Sequence, residues 1–216
     1  ARAVDIYRAA GYPGEIGLIL NLNHLIPASD SEEDIAAARR VYDETHSLFL
    51  DPIFHNRYPE DFFQWLGPHQ PRVEPGDLKK LHGSVDYLGL NHYNTDLVHH
   101  DHFGGWLKAR LEPYAAPFWG HTRMGWGINP PGIKAEVLNL KEHYGNPKVI
   151  LTENGCAAPD MPDENGYVQD LDRIRFLRAH LIQLHQAIQE GANLQGYYVW
   201  SVLDNFEWER GYSQRF

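Results

Sequence analysis

Val149-Ile-Leu-Thr-Glu-Asn-Gly155 is the stretch whose reading decides the fold. A short apolar, β-branched run stops at Thr152, and a carboxylate, Glu153, stands where the chain is set to turn at Asn154-Gly155. Strands covered on both faces carry near-continuous apolar runs, so Lys148 to Glu153 is expected to be a parallel strand that presents a carboxylate at its C-terminal end. In α/β barrels that end of the sheet carries the chemistry.

Working outward, a helix is predicted on each side of this strand. Ile133 to Tyr144 is bounded by Pro130-Pro131 and Gly145. On the other side Leu171, Ile174, Leu177, Leu181, Leu184 and Ile188 recur at helical spacing, with Asp170 placed to cap the start and Gly191 to end it. A strand follows at Gly196 to Leu203, and two lie upstream, Glu15 to Asn21 and Val85 to Asn91. Between those two, Ser31 and Asp34 are spaced like a capping box, ahead of a helix with Ile35, Ala38, Val41, Tyr42 and Thr45 on one face. The apolar segment Leu48 to Phe54 and short helical pieces at Asp61 to Leu66 and Pro75 to His82 complete this region, while Ala1 to Ala10 opens the chain as a helix with Gly11 as its C-cap. The alternation of strand and helix is the signature of parallel βα units. Asn94 to Pro131, with Trp106, Trp119 and Trp126 among many Gly and Pro, is expected to be a long aromatic loop on the side of the strand ends.

The 216 residues suffice for one domain with a sizeable core, and no internal boundary is visible. Hydrophobic residues make up 43% and charged residues 22%, an ordinary globular composition. A formal net charge of -10 argues against nucleic-acid or anionic-membrane partners, which need a basic face to displace counterions. The single cysteine, Cys156, cannot form an internal disulfide and is expected to be a bland residue in a loop. His99, His100 and His102 cluster around Asp101, but no helical pair or Cys partner frames them, so a polar loop is expected there and no metal. Arg173 and Arg175 are expected on a solvated helix face. Neither an 18-residue apolar run nor a signal-peptide pattern is visible, and the expected location is the cytoplasm, with the native N-terminus upstream of Ala1.

Thr-Glu-Asn-Gly after an apolar strand resembles the nucleophile motif of the family 1 glycoside hydrolases, the β-glucosidase family. A second match, Gly-Tyr-Tyr-Val-Trp-Ser-Val-Leu-Asp-Asn-Phe-Glu-Trp from Gly196 to Trp208, has the length and order of the same family. The resemblance implies a TIM (β/α)8 barrel. Four strands are half the eight that such a barrel needs, so the chain is expected to supply strands 5 to 8, the C-terminal half of the barrel domain. Alone, it would leave two long parallel edges unpaired. The expected partner is therefore an N-terminal half-barrel, on the same polypeptide or a separate chain.

By the same resemblance, Glu153 is the nucleophile of a retaining β-glycosidase, in which two carboxylates act on the scissile bond, one by attack and one as acid/base. Asn91 and Tyr93 stand in Leu-Asn-His-Tyr, similar to the family's Leu-Asn-Tyr-Tyr, and the tyrosine hydroxyl is expected to donate to Glu153. His92 departs from the pattern, and strand alternation should point it away from Tyr93. Trp200, Glu207 and Trp208 are the expected sugar contacts, an indole face for the C–H face of the ring and a carboxylate for adjacent hydroxyls. Glu207 implies an unphosphorylated sugar, because it would repel a phosphate. Trp126 resembles the family's aglycone-side tryptophan, and Phe216 stands where an aromatic closes the sugar pocket. Asp204 and Asn205 are expected to fix the turn that aims Glu207.

The family's acid/base motif, Asn-Glu-Pro, does not occur. Glu-Pro is found at Glu74-Pro75 and Glu112-Pro113, and neither pair is expected to follow a strand. The expected activity is hydrolysis of a β-glucoside or short β-linked oligosaccharide by a completed barrel without cofactor, the isolated chain being inert. Two other readings compete: a non-catalytic sugar-binding half-barrel, and a half-barrel that associates with a second copy of itself.

Overall fold

The computed structural model describes residues 1–216. Four parallel strands form the main sheet: β1 (Gly17–Asn21), β3 (Tyr87–Asn91), β6 (Val149–Asn154) and β7 (Leu194–Val199), in the order β1-β3-β6-β7. They stand in sequence order, with helical connections between them, the arrangement of half a (β/α)8 barrel. The register places Asn21 opposite Asn91 and Asn91 opposite Glu153, so polar side chains from neighbouring strands meet at one end of the sheet.

The helices are α1 (Arg2–Ala9), α2 (Glu32–Tyr42), α3 (Leu48–Phe54), α4 (Glu60–Leu66), α5 (Asp77–Leu81), α6 (Pro130–His143) and α7 (Leu171–Gln189). No helix is long and apolar enough to cross a membrane. Leu88 and Leu90 of β3, Val149 and Leu151 of β6, Ile133, Val137 and Leu140 of α6, and Leu184 and Ala187 of α7 form one buried cluster between sheet and helices. Ser31 caps α2 by accepting from the Asp34 amide at 3.2 Å, as the capping-box spacing predicts.

Several expectations are corrected. The stretch after Asn94 is not a simple loop: β4 (Thr95–His100) and β5 (Ala109–Pro113) form an antiparallel hairpin, and β4 also pairs in parallel with β2 (His24–Pro27). His99 and His100 thus lie on a strand. Glu112 lies on β5, where it pairs with His99 and Arg110 on the surface. Alternation was hard to read there because β5 is an exposed edge with a single partner. On α2 the buried residues are Ala37, Ala38 and Val41, while Ile35 faces solvent.

The apolar stripe of α7 divides. Phe176, His180, Leu184 and Ala187 are buried, whereas Leu171, Ile174, Leu181 and Ile188 are exposed. In half a barrel the outermost helix has a neighbour on one side only, and α6 takes that side. Asp170 does not cap α7; its carboxylate accepts from Arg173 at 2.6 Å.

Candidate active site

The C-terminal ends of the four parallel strands open into a cavity of about 640 Å³ lined by Asn21, Asn23, Asn91, Tyr93, Asn94, Trp126, Glu153, Trp200, Asn205, Phe206, Glu207, Trp208 and Phe216. All eight residues singled out in the sequence therefore face one space. Asn21, Asn23, Asn94 and Phe206 were not singled out, and Asn205 was expected only to fix the turn that aims Glu207. For Asn21 a signal existed, because Leu-Ile-Leu-Asn ends β1 as Leu-Gly-Leu-Asn ends β3, in the same register.

Glu153 sits on the last turn of pleat in β6. The Tyr93 hydroxyl donates to its Oε2 at 2.5 Å, and the Glu153 carbonyl accepts from the His92 amide at 3.0 Å. Burial pushes the Tyr93 phenol well above its ordinary range, and the Glu153 bond and the charges of Glu153 and Glu207 push it further the same way. Tyr93 is thus a fixed hydrogen-bond donor and not a source of protons at neutral pH. His92 points the other way, as expected: it is buried, with Nδ1 2.9 Å from the Leu22 carbonyl oxygen. Burial depresses its imidazole to about 3, which leaves it neutral.

The strand ends lock one another. Thr152 Oγ1 donates to Asn91 Oδ1 at 2.7 Å, Asn154 Nδ2 donates to the His92 carbonyl at 2.7 Å, and the Tyr197 hydroxyl donates to Asn154 Oδ1 at 2.7 Å. Asn154 ends the strand and is fully buried. Gly155 is needed for a reason other than a turn: a Cβ there would collide with the Trp200 carbonyl oxygen. The loop after Glu153 can therefore run hard against the end of β7.

Aromatic rings wall the cavity. Trp126 lies 5.2 Å from Tyr93 and 6.0 Å from Phe216 between ring centroids, and Phe216 lies 6.1 Å from Tyr93. Beyond β7 the Trp200–Ser201 peptide is cis. Asn205 donates to Ser201 Oγ at 3.1 Å and lines the cavity itself. Glu207 is also held by a backbone pair, its amide to the Gly211 carbonyl at 2.8 Å and the Gly211 amide to its own carbonyl at 2.7 Å. Trp208 stands at the rim, 89% exposed.

Cys156 is buried, and burial raises its thiol to about 12, so it is inert as a nucleophile near neutral pH. No three His, Cys, Asp or Glu side chains converge on a point where a metal ion could sit. Arg175 is exposed, as expected of a solvated helix face, but Arg173 is not. Arg173 is ion-paired with Asp160 and Asp170, and Arg175 lies 4.3 Å over the Trp119 ring and donates to the Phe118 carbonyl at 3.1 Å. Their partners lie in loops outside the helix, which helical periodicity does not report.

A half-barrel with a carboxylate, indoles and amides gathered at its strand ends is a fold and site of the glycosidase class. The chain belongs to glycosyl hydrolase family 1, whose profile matches residues 1–216. It is 41% identical to beta-glucosidase A of Thermotoga maritima, over 100% of this chain and 48% of that protein. It is 40% identical to the 1,4-beta-D-glucan glucohydrolase of Thermotoga neapolitana, over 100% of this chain and 50% of that protein. The structure of the Thermotoga maritima beta-glucosidase in complex with deoxynojirimycin superposes with a TM-score of 0.91 at 41% identity, covering 100% of this chain and 48% of that one. The chain thus spans about half the length of the curated relatives it matches.

Proposed function

We propose that these residues form, as one domain, the nucleophile side of a retaining β-glucosidase site that a preceding half-barrel completes. The observation that carries this reading is the 2.5 Å hydrogen bond from Tyr93 to Glu153 inside a cavity walled by Trp126, Trp200 and Phe216. A carboxylate held by a phenol that does not ionise keeps one oxygen oriented and the other free to attack the anomeric carbon. The leaving oxygen takes its proton from an acid/base carboxylic acid outside this chain. The covalent glycosyl-enzyme formed on Glu153 is then hydrolysed by water activated by that same group, now a base. Asn91 supports the substrate from β3. Trp200 and Trp208 stack against or donate to the sugar, Glu207 accepts from adjacent hydroxyls, Phe216 closes the sugar side, and Trp126 meets the aglycone. The ligand class is an unphosphorylated β-D-glucoside or short β-linked oligosaccharide.

The test is to co-express this chain with the upstream half of the Thermotoga maritima relative and supply an activated 2-fluoroglucoside, whose glycosyl-enzyme turns over slowly. A mass increment on the peptide holding Val149 to Gly155 is expected. Glu153→Gln should abolish both the increment and turnover of an aryl β-glucoside while leaving sugar affinity near normal, since charge and nucleophilicity go and shape stays. Turnover retained within about tenfold refutes the assignment of Glu153.

A further inference from the structure

Behind the cavity lies a set of charges that the proposed reaction does not use. Arg173 on α7 donates to Asp160 Oδ2 at 2.8 Å, to Asp170 Oδ1 at 2.6 Å and to the Arg215 carbonyl at 2.6 Å. Arg215 in turn donates through Nε to Asp160 Oδ1 at 2.8 Å and through Nη2 to the same carboxylate. The Arg215 carbonyl also accepts from the Ala158 amide at 3.3 Å. The next residue is Phe216, whose ring faces Tyr93 and Trp126. On the far side of the same loop, the Ala157 carbonyl accepts from the Arg123 amide at 2.9 Å, three residues before Trp126. Three segments are thereby tied together: the loop after Glu153, the loop that carries Trp126, and the segment that carries Phe216.

The arrangement is costly as a mere stabiliser. The side chains of Arg173 and Asp160 are 13% and 11% exposed, and burying an ion pair gains little over apolar packing once desolvation is counted. What a multiply bonded guanidinium fixes is geometry, because its planar fork accepts few arrangements of its partners. Arginine and carboxylate hold each other charged here: Asp160 is pulled below the ordinary carboxylate range by its bonds to Arg215 and Arg173, which outweigh the opposing effect of burial. Phe216 is buried, and its ring packs against Tyr93 and Trp126.

We propose that Asp160, Arg173 and Arg215 form a positioning clamp that sets Phe216 against Tyr93 and Trp126 and so fixes the cavity wall facing Glu153. None of the three lines the cavity, so each acts through Phe216. The consequence for sugar affinity rests on the function proposed above; the placement of the ring does not.

Two arms separate these. In the 216-residue chain, with labelled phenylalanine, NOEs between the Phe216 and Trp126 rings are expected in the parent and in Arg178→Ala, an exposed position on the same helix. They should be lost in Asp160→Asn and Arg173→Met and return in Asp160→Glu. Should Arg173→Met not fold, Arg215→Lys, on a partly exposed side chain, gives the same reading. NOEs unchanged in Asp160→Asn and Arg215→Lys overturn the clamp.

The second arm titrates deoxynojirimycin into the chain assembled with the upstream half-barrel. Asp160→Asn should weaken binding about tenfold in the parent and have little effect in a Phe216→Leu background. An equal loss in both backgrounds, or none in either, overturns a role in positioning. If the parent assembly does not bind the sugar mimic, the proposed function fails, and the NOE arm still decides the clamp.

Discussion

Glu136→Gln should change how the stability of this chain depends on pH. Glu136 lies on α6, fully buried between α6 and the π-helical turn Asp43–Ser47, with Asn139 Nδ2 3.4 Å from its Oε1 and His46 Nε2 4.0 Å away. Burial pushes its carboxyl from 4.5 up to about 8 and depresses the His46 imidazole to about 4. Between those values both groups are neutral, so their contact is not an ion pair. Because the folded-state value is raised, the folded chain holds a proton that the unfolded chain gives up. The stabilisation is complete below about 4.5 and is lost as pH rises towards 8, by about 1.4 kcal/mol per pH unit and about 5 kcal/mol in all.

The buried histidines work in the opposite sense. His46 and His180, depressed to about 4, and His92, depressed to about 3, favour the folded chain increasingly as pH rises towards 6.5 and add no slope above it. The clean window is therefore above 6.5. From pH 6.5 to 8 the parent should lose about 1.5 kcal/mol that the Gln variant keeps, since an amide does not titrate and can still accept from Asn139. Urea unfolding at several pH values measures both curves. Parallel curves across this window would refute the reasoning, by showing that the carboxyl ionises in the fold without cost.

Two further outcomes concern the proposed site in the assembled barrel. Tyr93→Phe removes a hydrogen bond to a charged acceptor worth about 1.5–3 kcal/mol, so kcat on an aryl β-glucoside should fall roughly 10- to 100-fold with little change in sugar affinity; an unchanged kcat counts against Tyr93 as the partner of the nucleophile. Glu207→Ala should cost roughly 2–4 kcal/mol in kcat/KM for glucosides by leaving sugar hydroxyls unpaired, and an unchanged specificity constant refutes that role.

Much of the fold was legible because it depends on local pattern. The apolar run Val149 to Leu151 is buried or half-buried along its length as β6, and the periodic stretch from Leu171 is α7. The capping box at Ser31 and the C-terminal glycine at Gly191, with its φ of 89°, follow the same logic of backbone groups satisfied nearby. The hairpin β4–β5 escaped notice because one of its strands is exposed at almost every position, which erases the alternation that identifies strands. In the site, Glu153, Trp200, Glu207 and Trp208, carried by two motifs, all reached one cavity, and so did Phe206 within the second motif; Asn23 and Asn94 lie just past the ends of β1 and β3 and carry no pattern of their own.

The sequence by itself determined the order of βα units, the strand ends at which polar residues appear, and the family, because each follows from the residue types along a short stretch. Only the tertiary structure decided which charges meet. Arg173 reaches Asp160 and the Arg215 carbonyl across 13 and 42 residues, and Arg175 reaches the Phe118 carbonyl across 57. It also decided that Gly155 is needed for the approach of the Trp200 carbonyl, and that Glu136 is sealed from water. Ion pairs, close approach and burial depend on what the folded chain brings from far along the sequence, and no local period encodes that.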